Sequence, residues 1–196
     1  MKRVSIFIGG GQDYYGETSD RDKKVVELLG DQLYSALKLL GFDAQLITGG
    51  TAGIPDDFAR HFAGNVVDIV SEDYLATYLE RTKDHPRAYW VAGKSQADRR
   101  HLLASNIHIS VALFIQGGQF STHEIQLFSE KGTPIVTFTG SGGASGGKIP
   151  YNDWKYQRPT KMRKRIYDSE DPNESVEEIV KALLRDIHSN ISNPQL

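Results

Sequence analysis

Glu124 stands three residues after Ser121 and follows a pair of glycines, Gly117 and Gly118. The segment starts as the end of the apolar run Val111–Ile115, crosses the glycines with Gln119 and Phe120, and opens a helix at Ser121 and Thr122. A strand, a glycine turn and a helix start together present free backbone N–H groups to an anion. A carboxylate one turn further on lies beside whatever carries that anion, where it can stabilise an oxocarbenium-like sugar or activate a water. The same residues also fit a simpler pattern. Ser121-x-x-Glu124 is a capping box, with Phe120 and Ile125 at hydrophobic-staple positions, so local helix chemistry alone accounts for all four. On the residues themselves both readings stand.

Two further glycine loops follow apolar runs. Gly9-Gly10-Gly11 ends the run Val4–Ile8, and Gly49-Gly50-Thr51-Ala52-Gly53 ends the run 43–48. Each is a cradle for phosphate or ribose, since glycine lets the backbone approach an oxyanion without a Cβ in the way; a tight strand-to-helix turn is the alternative. The first loop lacks the G-x-G-x-x-G spacing and no acidic residue ends the second strand, which argues against a nicotinamide dinucleotide. Tyr14 and Tyr15 are placed to flank a base or to stand as exposed loop residues. Arg99 and Arg100 are either a solvated helix face or guanidinium groups held over phosphate or ribose. Lys155, Arg158, Lys161, Arg163, Lys164 and Arg165, with Trp154 and Tyr156 between them, form a basic stretch. The chain as a whole carries a net charge of −2, so this stretch reads as a solvated loop and not as a nucleic-acid surface. The six histidines show no metal-ligand spacing, and neither a metal nor a cofactor is expected.

These residues need a frame. Val4–Ile8 reads as a first strand. Ser19 or Asp20 caps a helix whose Val26, Leu29, Leu33, Leu37 and Leu40 share one face, and Gly41 ends it. A second strand spans 43–48. Pro55, Asp56 and Asp57 suit the first turn of the next helix, which Gly64 closes. Strands follow at 66–70 and 87–92. Ser95 with Asp98 caps a helix to about Asn106, and a long strand covers 107–115. The helix 121–131 ends at Gly132, and a strand at 134–139 leads into the glycine-rich loop 140–147. Residues 148–173 read as irregular, with a short strand near Ile166 and Tyr167. A last amphipathic helix runs from Glu174 to Ile187, and a tail closes the chain.

Strands alternating with helices predict an α/β fold: a single-domain, Rossmann-like, doubly wound and mostly parallel sheet with helices on both faces, over residues 1–190, with 191–196 as a tail. Ligands of such sheets sit outside the carboxyl ends of the strands at the switch point, where the glycine loops should gather. With 196 residues, 39% hydrophobic and 24% charged, the chain has the composition of an ordinary globular protein. It has no cysteine, which excludes disulfides, thiolate metal sites and a cysteine nucleophile. No run approaches the roughly 20 apolar residues of a membrane span. The N-terminal apolar run is too short for a signal peptide, so a cytoplasmic location is expected.

The order of elements, with Gly49-Gly50-Thr51-Ala52-Gly53 after strand two, Arg99-Arg100 on a helix, and Gly117-Gly118-x-x-Ser121-x-x-Glu124 after a buried strand, resembles the LOG proteins. That family, once described as lysine decarboxylases, belongs to the SLOG superfamily of Rossmann-like nucleotide-binding domains. Its signature is P-G-G-x-G-T-x-x-E, preceded by an Arg-Lys pair. The resemblance covers roughly residues 3–140. It implies a nucleoside 5′-monophosphate phosphoribohydrolase, which cleaves an N-glycosidic bond to release a free base and ribose 5-phosphate, and it implies a homodimer. Carried over by position, Glu124 matches the catalytic glutamate, Arg99 or Arg100 the arginine, Gly117 and Gly118 the glycines, and Ser121 the threonine. Gln116 stands in place of the proline, Phe120 in place of the third glycine, and Arg100 where lysine is usual. A SLOG-type sensor or carrier of a nucleotide derivative, or a molybdopterin-type carrier, is the alternative.

Overall fold

The computed structural model describes residues 1–13, 19–138, 141, 144 and 171–192. Among these residues, six strands form one parallel sheet in the order β4-β3-β2-β1-β5-β6. They are β1 (Lys2–Gly10), β2 (Phe42–Thr48), β3 (Asn65–Val70), β4 (Ala88–Val91), β5 (Val111–Ile115) and β6 (Ile135–Phe138). The helices are α1 (Ser19–Leu39), α2 (Ile54–His61), α3 (Leu75–Thr82), α4 (Gln96–Asn106), α5 (Gln119–Lys131) and α6 (Pro172–Ser192), with a turn of 3₁₀ helix at Glu72–Tyr74.

Two-sided burial explains the strand sequences. In β1, Val4, Ile6 and Ile8 pack with α1, α2 and α6, while Phe7 points to the face covered by α4 and α5. In β5, Val111, Leu113 and Ile115 join the first face and Ala112 and Phe114 the second. Successive side chains of a strand point to opposite faces, so a strand covered on both must be apolar throughout. The doubly wound, Rossmann-like α/β architecture is therefore the one expected from the alternation of elements. The chain winds outward from β1 to β4, then returns through α4 to β5 on the other side of β1. The crevice at the carboxyl ends of β1 and β5 is the switch point.

Several boundaries differ from the sequence reading. β5 begins at Val111, not Ile107, and α2 ends at His61, not Gly64. The segment 72–82, between the strands expected at 66–70 and 87–92, forms the 3₁₀ turn and α3. The last helix extends beyond Ile187 to Ser192. The capping box of Ser95 and Asp98 at the start of α4 is present, and Gly132 ends α5 in the left-handed conformation. Tyr14, Tyr15, the basic stretch 155–165, the strand expected near 166–167 and most of the loop 140–147 lie outside the described residues, as does the tail 193–196.

Candidate functional site

A cavity of about 390 Å³ opens at the switch point. Its wall is built from the end of β1 and the residues after it (Phe7 to Asp13), from Gly49, Thr51 and Pro55 after β2, from Tyr74, from Gln96, Arg99 and Arg100 at the start of α4, and from Gly118, Phe120, Ser121 and Glu124 at the start of α5. Three glycine loops therefore meet the first turns of three helices, α2, α4 and α5.

Glu124 does not cap its helix. α5 begins two residues earlier than the sequence reading has it, at Gln119, with Gly118 as N-cap and no side-chain cap. The cause is the turn before it. Gln116 has φ of 53° and Gly117 φ of 97°, and two left-handed residues in succession turn the chain into the helix without help from a serine. Ser121 thus falls inside the first turn, where its hydroxyl donates to the Gly10 carbonyl at 3.2 Å. Phe120 is exposed instead of stapled to Ile125. The capping-box reading is overturned, and Glu124 is left to another partner.

That partner is Arg99. Its Nη2 donates to Glu124 Oε1 at 2.9 Å, with both side chains more than nine-tenths buried. Its Nε donates to Gln96 Oε1 at 2.9 Å. Its Nη1 is buried with no hydrogen-bond partner among the described residues. The guanidinium lies so close over Gly49 that a Cβ there would overlap it. An unpartnered guanidinium N–H in a buried site costs about 1–3 kcal/mol until an acceptor arrives. Arg100 is buried too, with Nε also unpartnered. Its guanidinium rests on the Phe120 ring, 4.5 Å from the centroid. Burial lowers its pKa, opposed by Glu124 and assisted by Arg99. The solvated-face reading of the two arginines is thus overturned. Burial likewise pushes the His123 imidazole below its usual value, and Arg100 and His101 push it the same way.

A buried polar cluster braces the Gly49–Gly53 loop from beneath. Asp68, inside β3, accepts from Thr48 Oγ1 at 2.5 Å, Tyr78 Oη at 2.8 Å and Arg87 Nε at 2.8 Å. Arg87 also reaches Asp56 Oδ1 at 2.7 Å, and Arg81 pairs with the same oxygen at 2.6 Å. Arg81 Nη2 donates to the Gly50 carbonyl, and the Gly50 N–H donates to Thr48 Oγ1 at 2.8 Å. Burial first, then the Asp68 charge and hydrogen bond, push the Tyr78 phenol up to about 12. Burial acts to raise the Asp56 carboxyl, but the hydrogen bonds and charges of Arg87 and Arg81 outweigh it and hold it below the usual value.

Of the residues singled out by sequence, Gly9, Gly10, Gly11, Gly49, Thr51, Arg99, Arg100, Gly118, Ser121 and Glu124 share the cavity wall. Gly50, Gly53, Gly117, Gln119 and Thr122 are not in it. Gly50 is held by the polar cluster. Gly53 is the N-cap of α2, pressed against the Gln12 carbonyl. Thr122 donates to the Gly118 carbonyl at 3.3 Å, and Gln119 is exposed. Sequence reasoning passed over Asp13, Tyr74 and Gln96 in the wall, and the cluster of Asp56, Asp68, Arg81 and Arg87. One signal was available: Asp68 interrupts an apolar strand, and a charge in such a position must be paired. Among the described residues, no group of three or more His, Asp or Glu is placed to hold a metal, and no helix is long and apolar enough to cross a membrane.

In sequence the chain matches no known protein family and no curated protein. In structure it is similar to the crystal structure of TM1055, a structural genomics target, with a TM-score of 0.55 at 19% identity, over 92% of this chain and 99% of that one. A likeness at that identity concerns the fold: an open, parallel, Rossmann-like α/β sheet.

Proposed function

We propose that the protein is a nucleoside 5′-monophosphate phosphoribohydrolase of the LOG type. The observation that carries this reading is the buried Arg99–Glu124 pair in the wall of the cavity, one turn into a helix whose N-terminus opens on the same space. The backbone N–H groups at the start of α5 and the glycine loops take the 5′-phosphate. Arg99 Nη1 supplies the acceptor-seeking donor on the other side. The ribose then lies toward Glu124. Water adds to C1′ as the C1′–N bond breaks; the base leaves with that electron pair and takes a proton, giving free base and ribose 5-phosphate. Glu124 either stabilises the cationic sugar or takes the proton of the water, and Arg99 holds its carboxylate in position.

The test is release of free base, followed by chromatography, from a panel of nucleoside monophosphates. Glu124→Ala is expected to lower the rate by about 10²–10⁴-fold. Equal rates for wild type and variant would remove Glu124 from the mechanism. Binding without base release would instead favour a second reading, a nucleotide-binding module without turnover. Gln116 and Phe120, where the LOG signature has proline and glycine, are the observations on its side.

A further inference from the structure

Phe120 is out of place by ordinary rules. It is 62% exposed, although burying a phenylalanine is strongly favourable. It stands in the first turn of α5, beside the helix N-terminus, and belongs to the cavity wall. One face of its ring carries the Arg100 guanidinium at 4.5 Å. Arg100 is 7% exposed, so the ring is backed by a buried cation. Beside it, no described residue lies within 4 Å of the position a Cβ would take on Gly118. The ring thus borders the cavity that it lines.

Position along α5 says what could reach it. Glu124 lies one helical turn inward on the same face, since residues four apart are neighbours on a helix. The phosphate-accepting N–H groups lie at the helix start, with the unpartnered Arg99 Nη1 in the same cavity as the second, independent sign of an anion. On the reading proposed above, a nucleotide with its ribose at Glu124 would set its phosphate at the helix start, with the terminal phosphate oxygens on the side of Phe120. A monophosphate would end there without covering the ring. We propose, building on the phosphoribohydrolase reading, that the ligand continues past its 5′-phosphate as a pyrophosphate-linked dinucleotide, with its second base stacked on Phe120. Base–aromatic stacking is tolerant of base identity, and the guanidinium behind the ring adds a cation–π contribution.

The experiment compares three probes by titration calorimetry on the full chain: AMP, ADP-ribose and diadenosine 5′,5′-diphosphate. The second extends the phosphate without a second base; the third adds the base. Wild type is expected to bind the diadenosine compound roughly tenfold tighter than ADP-ribose, the effect of one stacked base. Phe120→Tyr should keep that ratio. Phe120→Leu and Phe120→Gly should bring it to about one, with each affinity referred to that for AMP on the same variant. The ring is exposed, so these variants are expected to fold, and their melting temperatures check it. A ratio near one in wild type, or a preference that survives Phe120→Gly, overturns the proposal while leaving the monophosphate reading intact. Failure of all three probes to bind overturns both.

Discussion

Gly117 and Gly118 are neighbours with different duties. At Gly117 the backbone has φ of 97°, and a Cβ would stand 2.5 Å from the Ser121 side chain; both conformation and space require glycine. At Gly118 φ is −102° and no atom lies near the Cβ position. Gly117→Ala is therefore expected to cost upward of about 1 kcal/mol of stability, whereas Gly118→Ala stays within about 0.5 kcal/mol. Urea unfolding of the two variants checks this, and equal losses would contradict it. The sequence showed two glycines and could not rank them, because φ is set by the turn as a whole. The same holds for Ser121 and Glu124. Their spacing fits a cap and an active site equally, and the start of α5 at Gln119 rules out the cap.

At the scale of elements, the loop between β2 and α2 is held by charges that lie beneath it. Asp56 stands in the first turn of α2, where the sequence suggested no more than a favourable interaction with the helix dipole. Its side chain is instead 7% exposed and shared by Arg60, Arg81 and Arg87. Its native pKa lies below the ordinary one, so ionised Asp56 stabilises the fold at neutral pH. That contribution is lost as pH falls from the ordinary carboxylate range through the depressed native value. Asp56→Asn is expected to cost about 3 kcal/mol at neutral pH, with the deficit relative to wild type shrinking below about pH 4. Denaturant unfolding across acidic pH measures the difference; a deficit that does not change with pH would argue against the charge as its cause. Such a cluster joins residues from β3, α2 and α3 with Arg87, just before β4. No periodicity in the chain predicts that pairing.

For the molecule as a whole, the alternation of apolar runs and amphipathic stretches was enough to read the sheet, its two covered faces and the edge where the cavity lies. It was enough because a doubly covered strand has to be apolar along its length, as β5 is. Strand β4, exposed at all four residues, was found as an apolar run, but nothing in it told edge from centre. The cavity draws on both sides of the switch point, the outward-wound β1–β2 half and the returning α4–α5 half. A ligand bound there would touch both halves. A mononucleotide at a hundred times its dissociation constant is expected to add about 2.7 kcal/mol, raising the melting temperature by roughly 5–10 °C. Differential scanning calorimetry with and without AMP measures it, and an unmoved transition would count against a nucleotide in this cavity.

Gln116 stands where proline could not. Proline fixes φ near −65° and has no N–H. Here φ is 53°, and the N–H donates to Ser141 Oγ at 2.8 Å while the side-chain amide donates to Asp22 at 2.8 Å. Proline fits neither the angle nor the bond. Gln116→Pro would therefore not merely exchange one side chain for another: it would lose the bond to Ser141 and force the chain into α5 by a different turn.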